Sequence, residues 1–153
     1  MNRGRILLAV ACFLAGSILG GTVVFFWTVP PMAEMLALVS ITASGNESYV
    51  KYRYGFYSVG KAALLKHADA LESDSVREGM LGEAVVDFDL GLTYGRLAAA
   101  AERAGQGDDA VRYMGLATQA FQKRGRSLDE GQVRTAVQRL DAAWDQRLSG
   151  VAR

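Results

Sequence analysis

From Ile6 to Val29 the chain runs through 24 residues without a charge. At about 1.5 Å of rise per helical residue such a run reaches roughly 36 Å, against a hydrocarbon core of about 30 Å, and it predicts a transmembrane helix. Pro30 and Pro31 close it, because proline lacks a backbone donor and drives the residue before it out of helical geometry. Met32 to Ala43 is apolar apart from Glu34 and too short to span a bilayer, so it either lies on the membrane surface or packs against the folded domain. Ser44-Gly45-Asn46-Glu47 then reads as a break. The expected organisation is a cytoplasmic tip and anchor over 1–31, a juxtamembrane segment and linker over 32–47, and one helical domain over 48–153.

Within that domain the first segment, Ser48 to Glu72, opens on a dense aromatic stretch in which two periods compete. Val50, Tyr52, Tyr54 and Phe56 alternate as in a strand, whereas Tyr49, Tyr52, Phe56, Val59 and Ala63 keep helical spacing. No partner strand is evident downstream, and Ala62 to Leu71 is plainly helical, which favours extending the helix backwards. Ser75-Val76-Arg77-Glu78 matches a capping box and predicts the start of a long helix. That helix carries two apolar strips, one with Leu81, Val85, Phe88 and Leu92 and one with Leu90, Tyr94, Leu97 and Ala101, so it should be covered on both sides. Gly91 and Gly95 weaken it unless close helix contact compensates.

Gly105 to Asp109 interrupts the pattern, and Val111, Met114, Ala117 and Phe121 resume it, as expected of an antiparallel neighbour. After Arg124-Gly125-Arg126, a second capping box, Ser127 to Glu130, precedes Val133, Val137, Leu140, Trp144 and Leu148 at helical intervals. Arg134, Arg139, Asp141, Asp145 and Arg147 fall mainly on the other faces and are expected in solvent. The fold class is therefore all-α: a transmembrane helix followed by a small antiparallel bundle or a repeat-like helical hairpin.

The hairpin from Leu92 to Phe121 resembles a tetratricopeptide repeat. Tyr94 stands where that family places a first-helix aromatic, followed by Leu97 and the small Ala98; Gly105 marks the turn, and Ala110 and Ala117 flank Met114 in the second helix. Ala101 replaces the family's later aromatic, and no proline closes the unit near Gln122. The resemblance covers about 30 of the 153 residues, and it implies a helix-turn-helix unit used for protein binding. A generic helical hairpin needs small residues at its crossing for the same reason.

Charge fixes an orientation for the anchor. Arg3 and Arg5 precede the apolar run and the next basic residue is Lys51, which places the N-terminus in the cytoplasm and, in a bacterium, the bulk of the chain in the periplasm beyond the inner membrane. A cleaved secretory signal would have a shorter apolar core and small residues at a cleavage point, where this chain has Val29-Pro30-Pro31. Cys12, the only cysteine, lies inside the run in a poor lipid-attachment context, and it excludes an intramolecular disulfide. Within the anchor Gly16 and Gly20 form a small-xxx-small pair that suits close pairing of transmembrane helices, and so a homo-oligomer or a larger complex.

Candidate chemistry is sparse. Without Arg3 and Arg5, 15 basic residues remain against 16 acidic ones, a balance that argues against nucleic acid as a partner. A single histidine, His67, and no cysteine cluster make a metal site of those ligands implausible, and no cofactor motif is present. Glu83, Asp87 and Asp89 do not converge on one face, and His67 has no associated nucleophile, so no catalytic residue is assigned and the chain is not expected to be an enzyme. Lys123, Arg124 and Arg126 suit a helix C-terminus. The expected partners are the lipid bilayer and another envelope protein, bound through Tyr52, Tyr54, Phe56 and Tyr57, since aromatics dominate interface hot spots. The alternative is a structural subunit assembled mainly through the transmembrane helix, and an envelope enzyme is a third, weaker reading.

Overall fold

Helix is the only regular structure in the computed structural model, which describes residues 35–77, 81–123, 125 and 127–151. The expected anchor with Gly16 and Gly20, the Pro30-Pro31 stop, Glu78 of the first capping box, and Arg124 and Arg126 of the basic cluster lie outside the described residues. Among the described residues no helix is long and apolar enough to cross a membrane. The chain divides into two compact units, Met1–Leu36 and Ala37–Arg153, and the second is the all-α domain.

The first helix, α1, covers residues 35–54 and passes through Ser44–Glu47, where the sequence predicts a break. Two serines there turn inward on their own helix: Ser44 Oγ donates to the Ile41 carbonyl at 3.0 Å and Ser48 Oγ to the Gly45 carbonyl at 2.8 Å. Gly45 is kept small by the ring of His67, which lies 3.3 Å from where a Cβ would stand. The turn signals are thus spent on helix packing. The break comes instead at Gly55 and Phe56. A Cβ at Gly55 would collide with the Lys51 carbonyl oxygen, and Phe56 is extended, at φ −66° and ψ 152°. The strand reading of the aromatic stretch is thereby replaced by helix up to residue 54.

The next helix, α2 (Tyr57–Glu72), folds back so closely that a Cβ at Gly60 would stand 3.0 Å from the Tyr52 Cα. A single turn, α3 (Asp74–Arg77), covers Ser75, Val76 and Arg77 of the first capping-box sequence, while the long helix α4 (Gly82–Arg103) begins later than expected. Gly82 sits at φ +68°, a left-handed conformation that separates the two.

Central in the domain, α4 packs on α2, α3, α5 (Gly107–Lys123) and α6 (Glu130–Val151), as its two apolar strips require. Gly91 and Gly95 explain the closeness of these contacts. A Cβ at Gly91 would lie 2.7 Å from the Phe121 ring of α5, and one at Gly95 2.7 Å from Val137 Cγ2 of α6. Between α4 and α5, Gly105 at φ +71° closes a Schellman turn, with Gln106 N–H donating to the Ala101 carbonyl at 2.9 Å. Ala98, Ala101, Ala110 and Ala117 are buried along this hairpin with Met114 and Phe121, whereas Val111, expected inside, is 77% exposed, and Tyr113 takes the buried place.

The capping box of α6 is also displaced from its expected position. Asp129 Oδ1 accepts from Gln132 N–H at 2.8 Å and Gln132 Oε1 from Asp129 N–H at 3.0 Å, so Asp129 and Gln132, rather than Ser127 and Glu130, exchange the reciprocal bonds. Val133 and Val137 are buried against α4 and α5, and Leu140 and Trp144 continue the seam.

Candidate functional site

The four aromatics assigned to partner binding do not form one surface. Tyr52, on the inner face of the last turn of α1, is buried and donates to Asp141 Oδ2 of α6 at 3.0 Å. Tyr54, two residues on, is 68% exposed, although its hydroxyl reaches Asp145 Oδ1 of α6 at 3.4 Å. Phe56, in the extended link, is 84% exposed. Tyr57 opens α2 half-buried and donates to Asp109 Oδ2 of α5 at 2.9 Å, a carboxylate it shares with Lys61. The elbow between α1 and α2 therefore presents Phe56 and the exposed ring of Tyr54, while Tyr52, Tyr57 and the Tyr54 hydroxyl tie it to the domain.

Behind the elbow lies a polar network that the sequence pattern does not reveal. Asp141, expected in solvent, is buried, and it accepts from Arg96 Nε at 2.9 Å as well as from Tyr52. Tyr49 donates to the Asp141 carbonyl at 3.0 Å and to Asp145 Oδ1 at 2.9 Å, and Arg53 Nη2 reaches Asp145 Oδ2 at 2.7 Å. Burial, and then the Asp141 carboxylate, push the Tyr52 hydroxyl up to about 12; burial and the hydrogen bond to Asp145 push Tyr49 up as well. Asp145 is held below the usual carboxylate range by Arg53 and then by Tyr49. Phenols so held remain protonated donors at neutral pH. The guanidinium of Arg96 lies 5.0 Å from the Tyr49 ring centre and that of Arg103 lies 4.7 Å from that of Tyr52, which adds cation–π contact.

A cleft of about 360 Å³ opens beside this network between α1, α4 and α6. Most of its charges are matched: Arg53 pairs with Asp145, Arg134 with Glu102 at 2.8 Å, and Asp141 with Arg96, while Arg103 stacks on the Tyr52 ring. The arrangement fastens α1 to α6 and offers no free nucleophile to a substrate there. The signal that could have found it is compositional. Three of the helix's charged residues, Arg134, Asp141 and Asp145, recur on the side of α6 that the tyrosine-rich end of α1 covers.

A second, shallower groove of about 390 Å³ runs between α1 and α2, floored by Val59, Ala62 and Ala63 and edged by Glu47, Lys51 and Lys66. Val59 is 44% exposed and stands one turn beyond Phe56, so the groove and the elbow form a continuous accessible surface. Elsewhere, Asp87 is buried and paired with Arg77 at 3.1 Å, and among the described residues no group of three or more His, Cys, Asp and Glu could hold a metal. His67, Asp89 and Arg96 line a separate cavity. Compared with known proteins, the chain matches no family model, no curated protein and no solved structure.

Proposed function

We propose that the chain is a single-pass membrane-anchored adaptor whose helical domain docks another envelope protein through the elbow between α1 and α2. The observation that carries this reading is Phe56, a phenylalanine 84% exposed in a two-residue link that the network behind it fixes in place. A large apolar side chain on a rigid, solvent-facing support is the usual form of an interface anchor, because little conformational freedom is lost on binding. Tyr54 and Val59 extend the apolar area, and the charged edges of the α1–α2 groove supply a polar rim. The hairpin of α4 and α5 serves as the support, in keeping with its resemblance to repeat units that bind proteins. The anchor reading rests on the uncharged run from Ile6 to Val29, and the binding reading treats the buried carboxylates as structural.

The structural-subunit reading keeps its own motif, Gly16 and Gly20 in the anchor. Membrane affinity purification with crosslinking separates the two. Adaptor function predicts that Phe56→Asp with Tyr54→Ser abolishes partner capture while Gly16→Leu with Gly20→Leu leaves it intact. The reverse pattern would transfer assembly to the membrane helix and sink the elbow as the docking site.

A further inference from the structure

The first two turns of α1 carry three large aliphatic side chains that the domain leaves uncovered: Met35, Leu36 and Val39 are each between 61% and 68% exposed. At 3.6 residues per turn they fall within one arc of about 100° around the helix, and Ala43, also exposed, continues it a turn later. Ile41 is buried on the opposite side. The two placements open to Met32–Ala43 in the sequence are therefore not exclusive, since one side of α1 packs and the other stays open. No charged residue occurs between Met35 and Asn46. Thr42, at the edge of the arc, donates its hydroxyl to the Leu38 carbonyl at 2.9 Å, so its polar proton is satisfied within the helix.

A protein partner fits this face poorly. Three aliphatic side chains on two turns fall well short of the roughly 800 Å² per partner that a stable protein interface buries, and the arc holds no Trp, Tyr or Arg. The chain itself brings a better cover within reach. Five residues separate Val29, the last of the uncharged run, from Met35, so under the anchor reading α1 starts no farther than about 21 Å from the end of that run. Val39 is only about 6 Å further along the helix. So short a tether makes contact with the bilayer an intramolecular event, in which even a small apolar face is held at high effective concentration.

We propose that the first two turns of α1 lie on the membrane surface, with Met35, Leu36 and Val39 in the headgroup boundary of the bilayer. Interfacial helices bury their apolar side about 5–10 Å into that boundary. With no basic residue on the face, the seat is apolar and takes neutral lipid as readily as anionic lipid. It rests on the anchor reading and not on the elbow, whose Tyr54 stands about 22 Å along α1 from Val39.

The test uses the full chain reconstituted in phosphatidylcholine vesicles. Cys12→Ser removes the only native cysteine, and an environment-sensitive nitrobenzoxadiazole label is placed on Val39→Cys or, as control, on Val111→Cys of α5. The Val39→Cys label should shift to the blue and lose intensity when part of the lipid carries a nitroxide near the headgroup, and the Val111→Cys label should do neither. Phosphatidylserine should leave the signal unchanged. Met35→Asp with Leu36→Asp in the labelled chain should reduce the quenching, which a label inserting on its own would not show. A water-like Val39→Cys label in chains that resist carbonate extraction overturns the membrane seat and leaves the anchor standing, whereas carbonate extraction of the chain overturns both. A blue shift without lipid quenching overturns the seat in favour of cover by protein, a second copy included. Undiminished quenching in the aspartate variant, equal quenching at Val111→Cys, or quenching that requires phosphatidylserine overturns it as well.

Discussion

Asp141 is the residue on which the domain's polar interior turns, since Arg96 and Tyr52 both place their donors on its carboxylate. Removing it leaves the Arg96 guanidinium buried and uncompensated, a change that costs about 3–5 kcal/mol where buried pairs have been broken. Against a total stability of about 5–15 kcal/mol, Asp141→Ala should therefore bring the domain close to unfolding in urea titrations. Arg134→Ala supplies the contrast. Its partners Glu102 and Glu130 are exposed, and the loss should stay below about 1 kcal/mol. The phenols give a second prediction at this scale. Tyr52 is pushed up to about 12 by burial and then Asp141, and Tyr94 to about 12 by burial and then Glu72, against an ordinary value near 10. A folded pKa above the unfolded one contributes stability that is complete below pH 10 and is lost as pH rises toward 12. Urea midpoints should fall across that interval, and phenolate absorbance should show late-titrating tyrosines that turn ordinary on unfolding. Uniform titration near 10 in the folded chain would contradict the buried network.

Helix contacts at α4 decide the effect of its glycines. Alanine at an open helical position stabilises by about 0.5–1 kcal/mol, and Gly115 of α5, with nothing within 4 Å of a Cβ, should show that gain. Gly91→Ala and Gly95→Ala should instead destabilise by about 1–3 kcal/mol, because the added methyl meets the Phe121 ring and Val137 in a filled core. Thermal melts of the three variants check the sign directly. The same elements show what the sequence makes legible. α4, α5 and the interior of α6 follow their apolar periods in the main, with Val85 and Val111 turned outward and Val86 and Tyr113 buried in their stead, and the need for close contact at Gly91 and Gly95 is readable from their cost to an isolated helix. Local turn chemistry misleads at Ser44–Glu47, where serine side chains bond back to the helix and Gly45 accommodates a ring brought from 22 residues away. Asp141 is illegible for a related reason: its partners Arg96 and Tyr52 lie 45 and 89 residues distant, and only tertiary packing turns an apparent surface acid into a buried hub. At the proposed docking site the aromatic richness is visible in sequence, but the division into inner Tyr52 and outer Tyr54 and Phe56 depends on where α1 ends.

At the scale of the whole molecule, the helical domain and the N-terminal apolar run make separate demands on their surroundings. The domain closes its own core, with Leu64, Leu97, Phe121 and Val133 fully buried, and so requires no membrane to hide them. The run from Ile6 to Val29 has 24 uncharged residues, and under the adaptor reading a bilayer is their solvent. Near the middle of a transmembrane helix, an arginine opposes insertion by about 2.5–3.5 kcal/mol, whereas leucine favours it by a few tenths. Replacing Leu14 and Ile18 together by arginine should therefore overcome the insertion tendency while leaving the domain untouched. The expected outcome is a parent chain that resists alkaline carbonate extraction from membranes and a double variant that moves to the soluble fraction. Circular dichroism and the urea midpoint of that soluble variant should still report the folded domain. If the parent itself is extracted by carbonate, the anchor is wrong, and docking at the elbow would have to be sought among soluble partners.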